Sequence, residues 1–201
     1  MIVKEFFYNE INPTKLFVSK GELSQRLSVS KEYTSKELTQ YENELKSIIA
    51  PKYSGVRVNV SYPYENAVDL GFSPFESQSL YKNLKLCKEA YIFTVTLGIE
   101  TDRFLKQLSV TSIAKHFLCD ALCSAFAEAA ADYTETEIKK ENICHPRFSI
   151  GYGDLSLELQ PDILELTNAK KLLNITLSNQ LLMTPTKTIT AIMGIESRNS
   201  V

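Results

Sequence analysis

The chain has 201 residues, of which 44% are hydrophobic and 23% charged, with a net charge of −2. This is the composition of one globular domain, or of one domain with an appendage. It excludes the basic footprint of a nucleic-acid binder and a polybasic patch for a membrane surface.

Ile2 to Tyr8 reads as a short strand. Asn12-Pro13 has the form of an N-cap with proline at the first helical position and predicts a short helix to about Lys20. Residues 20–34 are polar and read as a loop or arm. From Ser35, the three- and four-residue spacing of Leu38, Tyr41, Leu45, Ile48 and Ile49 predicts an amphipathic helix, with Pro51 past its end. Val56, Val58, Val60 and Tyr62 alternate with polar residues, as in a half-buried strand. Ser77 to Leu86 reads as a helix.

Ala90 to Leu97 is almost continuously apolar and β-branched and predicts a central strand ended by Gly98. Ile99 to Leu108 reads as a helix. The longest helix runs from about Ser112 to Lys139, with Ala114, Leu118, Ala121, Leu122, Ala125, Phe126 and Ala129 as its buried stripe. Ser149 to Gly153 is predicted extended. Pro161 to Asn168 reads as a helix with proline in its first turn. Ile175 to Leu177, Leu181 to Thr184 and Lys187 to Ile195 are predicted strands. This order is not a regular βαβ alternation. It predicts an α+β fold, a mainly antiparallel twisted sheet packed with a long central helix and flanking helices. Residues 1–50 are read as an N-terminal strand and helix extension, and residues 51–201 as the α+β domain.

No run of about 18 apolar residues occurs, so no membrane-spanning helix is expected. Met1 to Tyr8 has neither the apolar core nor the cleavage site of a signal peptide. A cytoplasmic protein is expected, with Cys87, Cys119, Cys123 and Cys144 as reduced thiols, since their spacings form no CxxC pair. His116, Cys119 and Cys123 share a face of the long helix. Thiols on an alanine-rich face are ordinary core residues, so no metal site is expected. Dinucleotide-binding, P-loop, zinc-protease and serine-hydrolase motifs are all missing.

Chemistry concentrates in Arg147-Phe-Ser149-Ile-Gly151-Tyr152-Gly-Asp154. Arg147 is a permanent cation whose planar fork suits a carboxylate or phosphate. Gly151 and Gly153 allow close backbone approach or positive φ. Tyr152 offers an aromatic face and a hydroxyl. Asp120 and Glu128 lie about two turns apart on the long helix and share a face, which reads as a solvated edge or as an acidic face toward a ligand or partner.

These residues resemble the activation domain of cobalamin-dependent methionine synthase, a family that binds S-adenosylmethionine and has small stand-alone members. Arg147, Gly151 and Tyr152 match its arginine and Gly-Tyr pattern. Asp120 and Ala125-Phe-Ala-Glu128 match its long-helix pattern, and Met183-x-Pro185 and Thr188 to Gly194 its later segments. The resemblance covers about residues 85–196. It implies that Arg147 clamps the carboxylate of S-adenosylmethionine and that Ser149, Gly151, Tyr152, Ala191 and Met193 line the rest of the cofactor site. Asp120 and Glu128 would dock the cobalamin-bearing partner.

The resemblance further implies a reactivation module in methionine biosynthesis, part of a methyltransferase activity in trans. Its partners would be a cobalamin-binding methionine synthase chain lacking its own activation domain and a one-electron donor such as flavodoxin. No catalytic residue of its own is implied, because the cofactors carry the chemistry. The alternative is a docking or assembly module for a corrinoid protein that does not use S-adenosylmethionine.

Overall fold

A computed structural model describes residues 3–18, 23, 35–84 and 87–196. Its framework is a five-stranded sheet of β1 (Val3–Glu10), β2 (Lys52–Asn59), β5 (Glu89–Thr96), β9 (Thr188–Ile195) and β6 (Phe148–Ser149). The spatial order is β1-β2-β5-β9-β6, and every neighbouring pair is antiparallel. The apolar segment at Ala90 is therefore the middle strand. A strand buried on both faces has no polar side to alternate with, which is why its sequence is a continuous apolar run.

The alternation of side chains across the sheet divides the interior into two cores. Tyr91, Phe93 and Val95 of β5, with Ala191, Met193 and Ile195 of β9, face α4 (Ile113–Lys139), the long helix. Leu105 and Leu108 of α3 (Ile99–Thr111) and Leu45 of α1 (Ser35–Lys46) complete that layer. On the opposite face, Val56, Val58, Ala90, Ile92 and Ile192 pack with Leu80 and Leu84 of α2 (Gln78–Leu84) and Ile163 of α5 (Gln160–Leu166). Helices thus cover both faces of the sheet.

The far end of the second face is polar, and six of its residues pair with one another, while the buried Ser54 hydroxyl beside Thr94 has no hydrogen-bond partner among the described residues. Thr94 shares a hydrogen bond of 2.8 Å with Thr167, Thr188 donates to Thr96 at 2.9 Å, and Thr190 donates to Gln160 at 3.1 Å. All six residues are buried, and pairing removes the cost of burying their hydroxyl and amide groups.

The described part of the first fifty residues, expected as a strand and helix extension, contributes to this same sheet and core. β1 pairs along its length with β2, and Ile11, Leu16, Leu45 and Ile49 are buried with β5. Asn12 caps as expected, its side chain accepting from the Thr14 amide at 3.0 Å. The helix it opens is only one 3₁₀ turn, Pro13–Lys15, because Leu16 turns to extended backbone and enters the core. The predicted arm at 20–34 lies outside the described residues except for Leu23.

The segment expected to be extended over Ser149 to Gly153 is a two-residue strand and then a turn. Gly151 and Gly153 adopt φ of +87° and +58°, which strand geometry does not allow. Two two-residue hairpins complete the chain: β3 (Ala67–Val68) with β4 (Phe75–Glu76), and β7 (Thr176–Leu177) with β8 (Met183–Thr184). The short helix α6 (Ala169–Leu172) precedes β7.

Phe126, fully buried between α4 and the sheet, tests the larger core. Phe126→Ala is expected to cost about 3–5 kcal/mol of stability through lost burial and the cavity left behind, read as a lower urea midpoint with an unchanged slope.

Candidate functional site

The sheet leaves one edge of β9 partly open, and the site forms there. β6 pairs only with Ala191 and Ile192, so the start of β9 at Thr188 and Ile189 is left uncovered on that side. Arg147 precedes β6 and its guanidinium reaches α4. Phe148 and Ile150 point instead into the second core. The turn after β6 is closed by the Gly151 amide donating to the Leu155 carbonyl at 3.0 Å and the Leu155 amide donating to the Tyr152 carbonyl at 3.0 Å. A side chain at Gly151 would push Leu157 aside, whose Cδ2 lies 2.7 Å from the position of a Cβ. The positive φ is what favours glycine there, since half-exposed Leu157 could swing aside from a Cβ.

Together these parts enclose a cleft of about 490 Å³. Glu128 and Arg147 flank it on the α4 side, and Ser149, Tyr152 and Leu157 form its rim. Gln160, Thr188 and Thr190 supply polar lining, and Leu181 and Met183 close it from the β7–β8 hairpin. Tyr152 presents a ring that is 67% exposed. The size suits a drug-sized or nucleoside-sized ligand.

Arg147 is engaged by a row of acids on α4. It donates to Glu128 at 3.0 Å, to Glu135 at 2.9 Å, and to Asp132. Glu128, Asp132 and Glu135 fall four and three residues apart, so they line one face of the helix. Burial works against the charge of Arg147, but hydrogen bonds and attraction from Asp132 and Glu135 outweigh it and raise its pKa above the ordinary value. Further along the same helix, Asp120 pairs with Lys187 at 2.7 Å, and Lys187 also donates to Ser124 at 2.9 Å. Two cations from the C-terminal part of the sheet thus anchor the acidic face of α4.

Asp154 fixes the turn from the other side. The Ser77 hydroxyl donates to its carboxylate at 2.7 Å, and the amides of Gln78 and Ser79 donate at 2.7 and 3.1 Å. It therefore satisfies free N–H groups at the start of α2 across the chain. The Ser77 hydrogen bond, with those from Ser79 and Gln78, holds the Asp154 carboxyl down to about 2.

Of the residues expected at a cofactor site, Arg147, Ser149 and Tyr152 meet in the cleft, and Gly151 shapes its turn. Glu128, expected on a docking face, stands in the cleft beside Arg147. Asp120 lies further toward the helix N-terminus and is paired with Lys187. Ala191 and Met193 are fully buried in the core beneath α4, so their side chains do not reach the cleft. β6 covers the strand edge beside them, and the part of β9 that does reach the cleft is Thr188 to Thr190.

Asp132, Glu135 and Gln160 were not found by sequence reasoning. The spacing of the two acids was legible as a continuation of the Glu128 face. The burial of Gln160 was not. Cys119 and Cys123 are core residues, and burial pushes their thiols up to about 11 and about 12. Among the described residues no helix is long and apolar enough to cross a membrane.

The architecture is that of a reactivation-domain-like α+β fold. A solved structure of the MetH reactivation domain bound to AdoHcy superposes with a TM-score of 0.72, covering 98% of this chain and 80% of that one at 13% sequence identity. No family model and no curated protein matches the sequence. At this identity the likeness establishes the fold.

Asp154 gives the site a pH signature. Its folded-state pKa lies below the ordinary 3.8, so its contribution to stability is complete above about pH 4 and is lost as pH falls toward 2. Asp154→Asn is expected to unfold at lower urea than the parent at pH 7. That gap should narrow steadily between pH 4 and pH 2 in parallel denaturation curves.

Proposed function

We propose that the cleft binds S-adenosylmethionine and that the protein serves as a reactivation module acting in trans on a cobalamin-dependent methionine synthase chain. The observation that carries this reading is a cleft of suitable size and chemistry within a shared fold. The fold is that of a domain solved with AdoHcy, and in this chain the same fold puts Arg147, Ser149 and Tyr152 around one cleft of suitable size. A guanidinium next to a carboxylate is the complement of an α-amino acid, whose own carboxylate and ammonium sit on one carbon. Arg147 orients the ligand carboxylate, and Glu128 stands where it accepts from the ammonium. Tyr152 and the turn at Gly151 flank the adenosine.

In this role the chain positions and the cofactors react. Bound S-adenosylmethionine would supply a methyl cation, its bonding pair staying on sulfur as S-adenosylhomocysteine, to the partner's cobalamin once one electron from a donor such as flavodoxin had reduced it from the cob(II) to the nucleophilic cob(I) state. The partner would be a methionine synthase chain without its own activation domain, and the pathway methionine biosynthesis. Asp120, half-buried and paired with Lys187 further along the same helix, is the docking residue in this reading.

One observation favours a second reading. Arg147 is already held by three carboxylates, as a purely structural arginine would be. The chain would then dock a corrinoid protein without using S-adenosylmethionine.

Calorimetric titration with S-adenosylmethionine separates the two. The first reading expects saturable binding, weakened about ten- to a hundredfold by Arg147→Ala, the loss of one charge-assisted contact. Tyr152→Ala removes an exposed ring without disturbing the core and is expected to weaken binding severalfold while leaving the unfolding midpoint unchanged. No heat at millimolar ligand, with circular dichroism of a folded protein, would leave the docking reading standing.

A further inference from the structure

We infer that the uncovered start of β9 reads the base of the ligand: the Thr188 carbonyl accepts from the exocyclic amine of a 6-aminopurine, and the Thr190 amide donates to the ring nitrogen beside it. This rests on the reading that the cleft takes S-adenosylmethionine. In an antiparallel ladder each residue turns its N–H and C=O to one side, and successive residues alternate. The Lys187 carbonyl accepts from the Leu97 amide at 3.0 Å, so the odd-numbered residues of β9 face β5. The Gly194 carbonyl accepts from the His145 amide at 2.9 Å and the Thr190 carbonyl from the Ile150 amide at 3.4 Å, so the even-numbered residues face β6. After Ile150 the chain turns away through Gly151. The Thr190 N–H and the backbone groups of Thr188 are left facing the cleft, with no partner among the described residues. Thr190 is 3% exposed and Thr188 8%. Backbone polar groups this buried are normally paired, so an orphan donor and acceptor in a cleft wall point to a polar ligand that completes them.

Gln160, 1% exposed, adds a second donor to the same wall. Its Nε2 lies 3.4 Å from the Met183 sulfur, which accepts only, so the nitrogen end of the amide faces the hairpin. Its Oε1 accepts from the Thr190 hydroxyl at 3.1 Å, which locks that orientation and leaves one Nε2 hydrogen unspent. The order of groups along the strand edge then selects the ligand. A carbonyl and the N–H two residues on lie side by side, an acceptor next to a donor. A 6-aminopurine is their complement, because its amine N–H stands beside a ring nitrogen that accepts. A 6-oxopurine puts a carbonyl oxygen where the amine stood, opposite the Thr188 carbonyl, and leaves both acceptors unpaired. The exposed ring of Tyr152 supplies a flat face for the same base.

The test compares S-adenosylhomocysteine with S-inosylhomocysteine by equilibrium dialysis. The two share the amino-acid chain and the ribose and differ only in the amine or oxo group of the purine and the ring proton beside it. The parent protein is expected to bind the adenosyl ligand about ten- to a hundredfold more tightly. Thr190→Val keeps the amide and is expected to keep the preference. Thr190→Pro removes an N–H that no strand partner uses, and is expected to lose about tenfold for the adenosyl ligand relative to Thr190→Val and to narrow the preference. Should the proline variant fail to fold, the two ligands on the parent still decide. Equal affinity for both purines in the parent would overturn the inference and leave the reading of the cleft standing. A folded Thr190→Pro that binds the adenosyl ligand as tightly as Thr190→Val would also overturn it. Failure of both ligands to bind a folded parent would overturn the reading of the cleft, and the inference with it.

Discussion

β5 and β9 pair along all eight of their residues, from Glu89 with Ile195 to Thr96 with Thr188, and are covered on both faces. A backbone pair enclosed in this way has to satisfy every N–H and C=O within the sheet. Its register then allots each side chain to one core or the other. Ala191, Met193 and Ile195 must lie under α4, and Thr190 and Ile192 must lie under α5 and α2. The cleft exists because this arrangement stops being covered at one corner: β6 pairs with only two residues of β9, and the start of β9 is left beside α4.

The second organising element is the acidic face of α4. The helix packs on the sheet through alanines interleaved with Leu118, Leu122 and Phe126, and its polar face is pinned as well. Here Lys187 ties the helix at Asp120, and Arg147 ties it at Glu128, Asp132 and Glu135. Arg147, Glu135 and Lys187 are largely covered, so these pairs are screened less than open surface pairs. Together with the apolar packing they mark which turn of α4 faces the end of β9, with a carboxylate beside the guanidinium. Asp154 does the same on the other side, joining the glycine turn to the start of α2. The cleft is thus held between a helix flank and a helix start, with the turn at Gly151 between them.

Much of this was legible in the chain. The middle strand at Ala90, the long helix from Ser112 and the final strand at Lys187 each carry a pattern set by local burial, and each stands where it was expected. The motif from Arg147 to Tyr152 stands out for its residue types, and five of its six residues, all but Gly151, line the cleft. What local pattern could not give was direction. Ala191 and Met193 lie in a strand that borders the cleft, yet their side chains belong to the core. Glu128 was expected toward a partner and instead pairs with Arg147 across 19 residues of sequence. The turn after Ser149 was expected extended, because apolar Ile150 continues the strand pattern and the positive φ of the glycines is not written in their spacing.

By itself, then, the sequence determined the α+β class, the long helix, the central strand and the residue types at the site, because periodicity, apolar runs and the chemistry of arginine and glycine are local properties. Only the tertiary structure decided which face of β9 meets a ligand, that Arg147 is held by three carboxylates, and that Asp154 caps a helix 76 residues earlier in the chain. Those outcomes depend on strand register and on how far β6 covers its neighbour, and both are fixed by packing between distant segments.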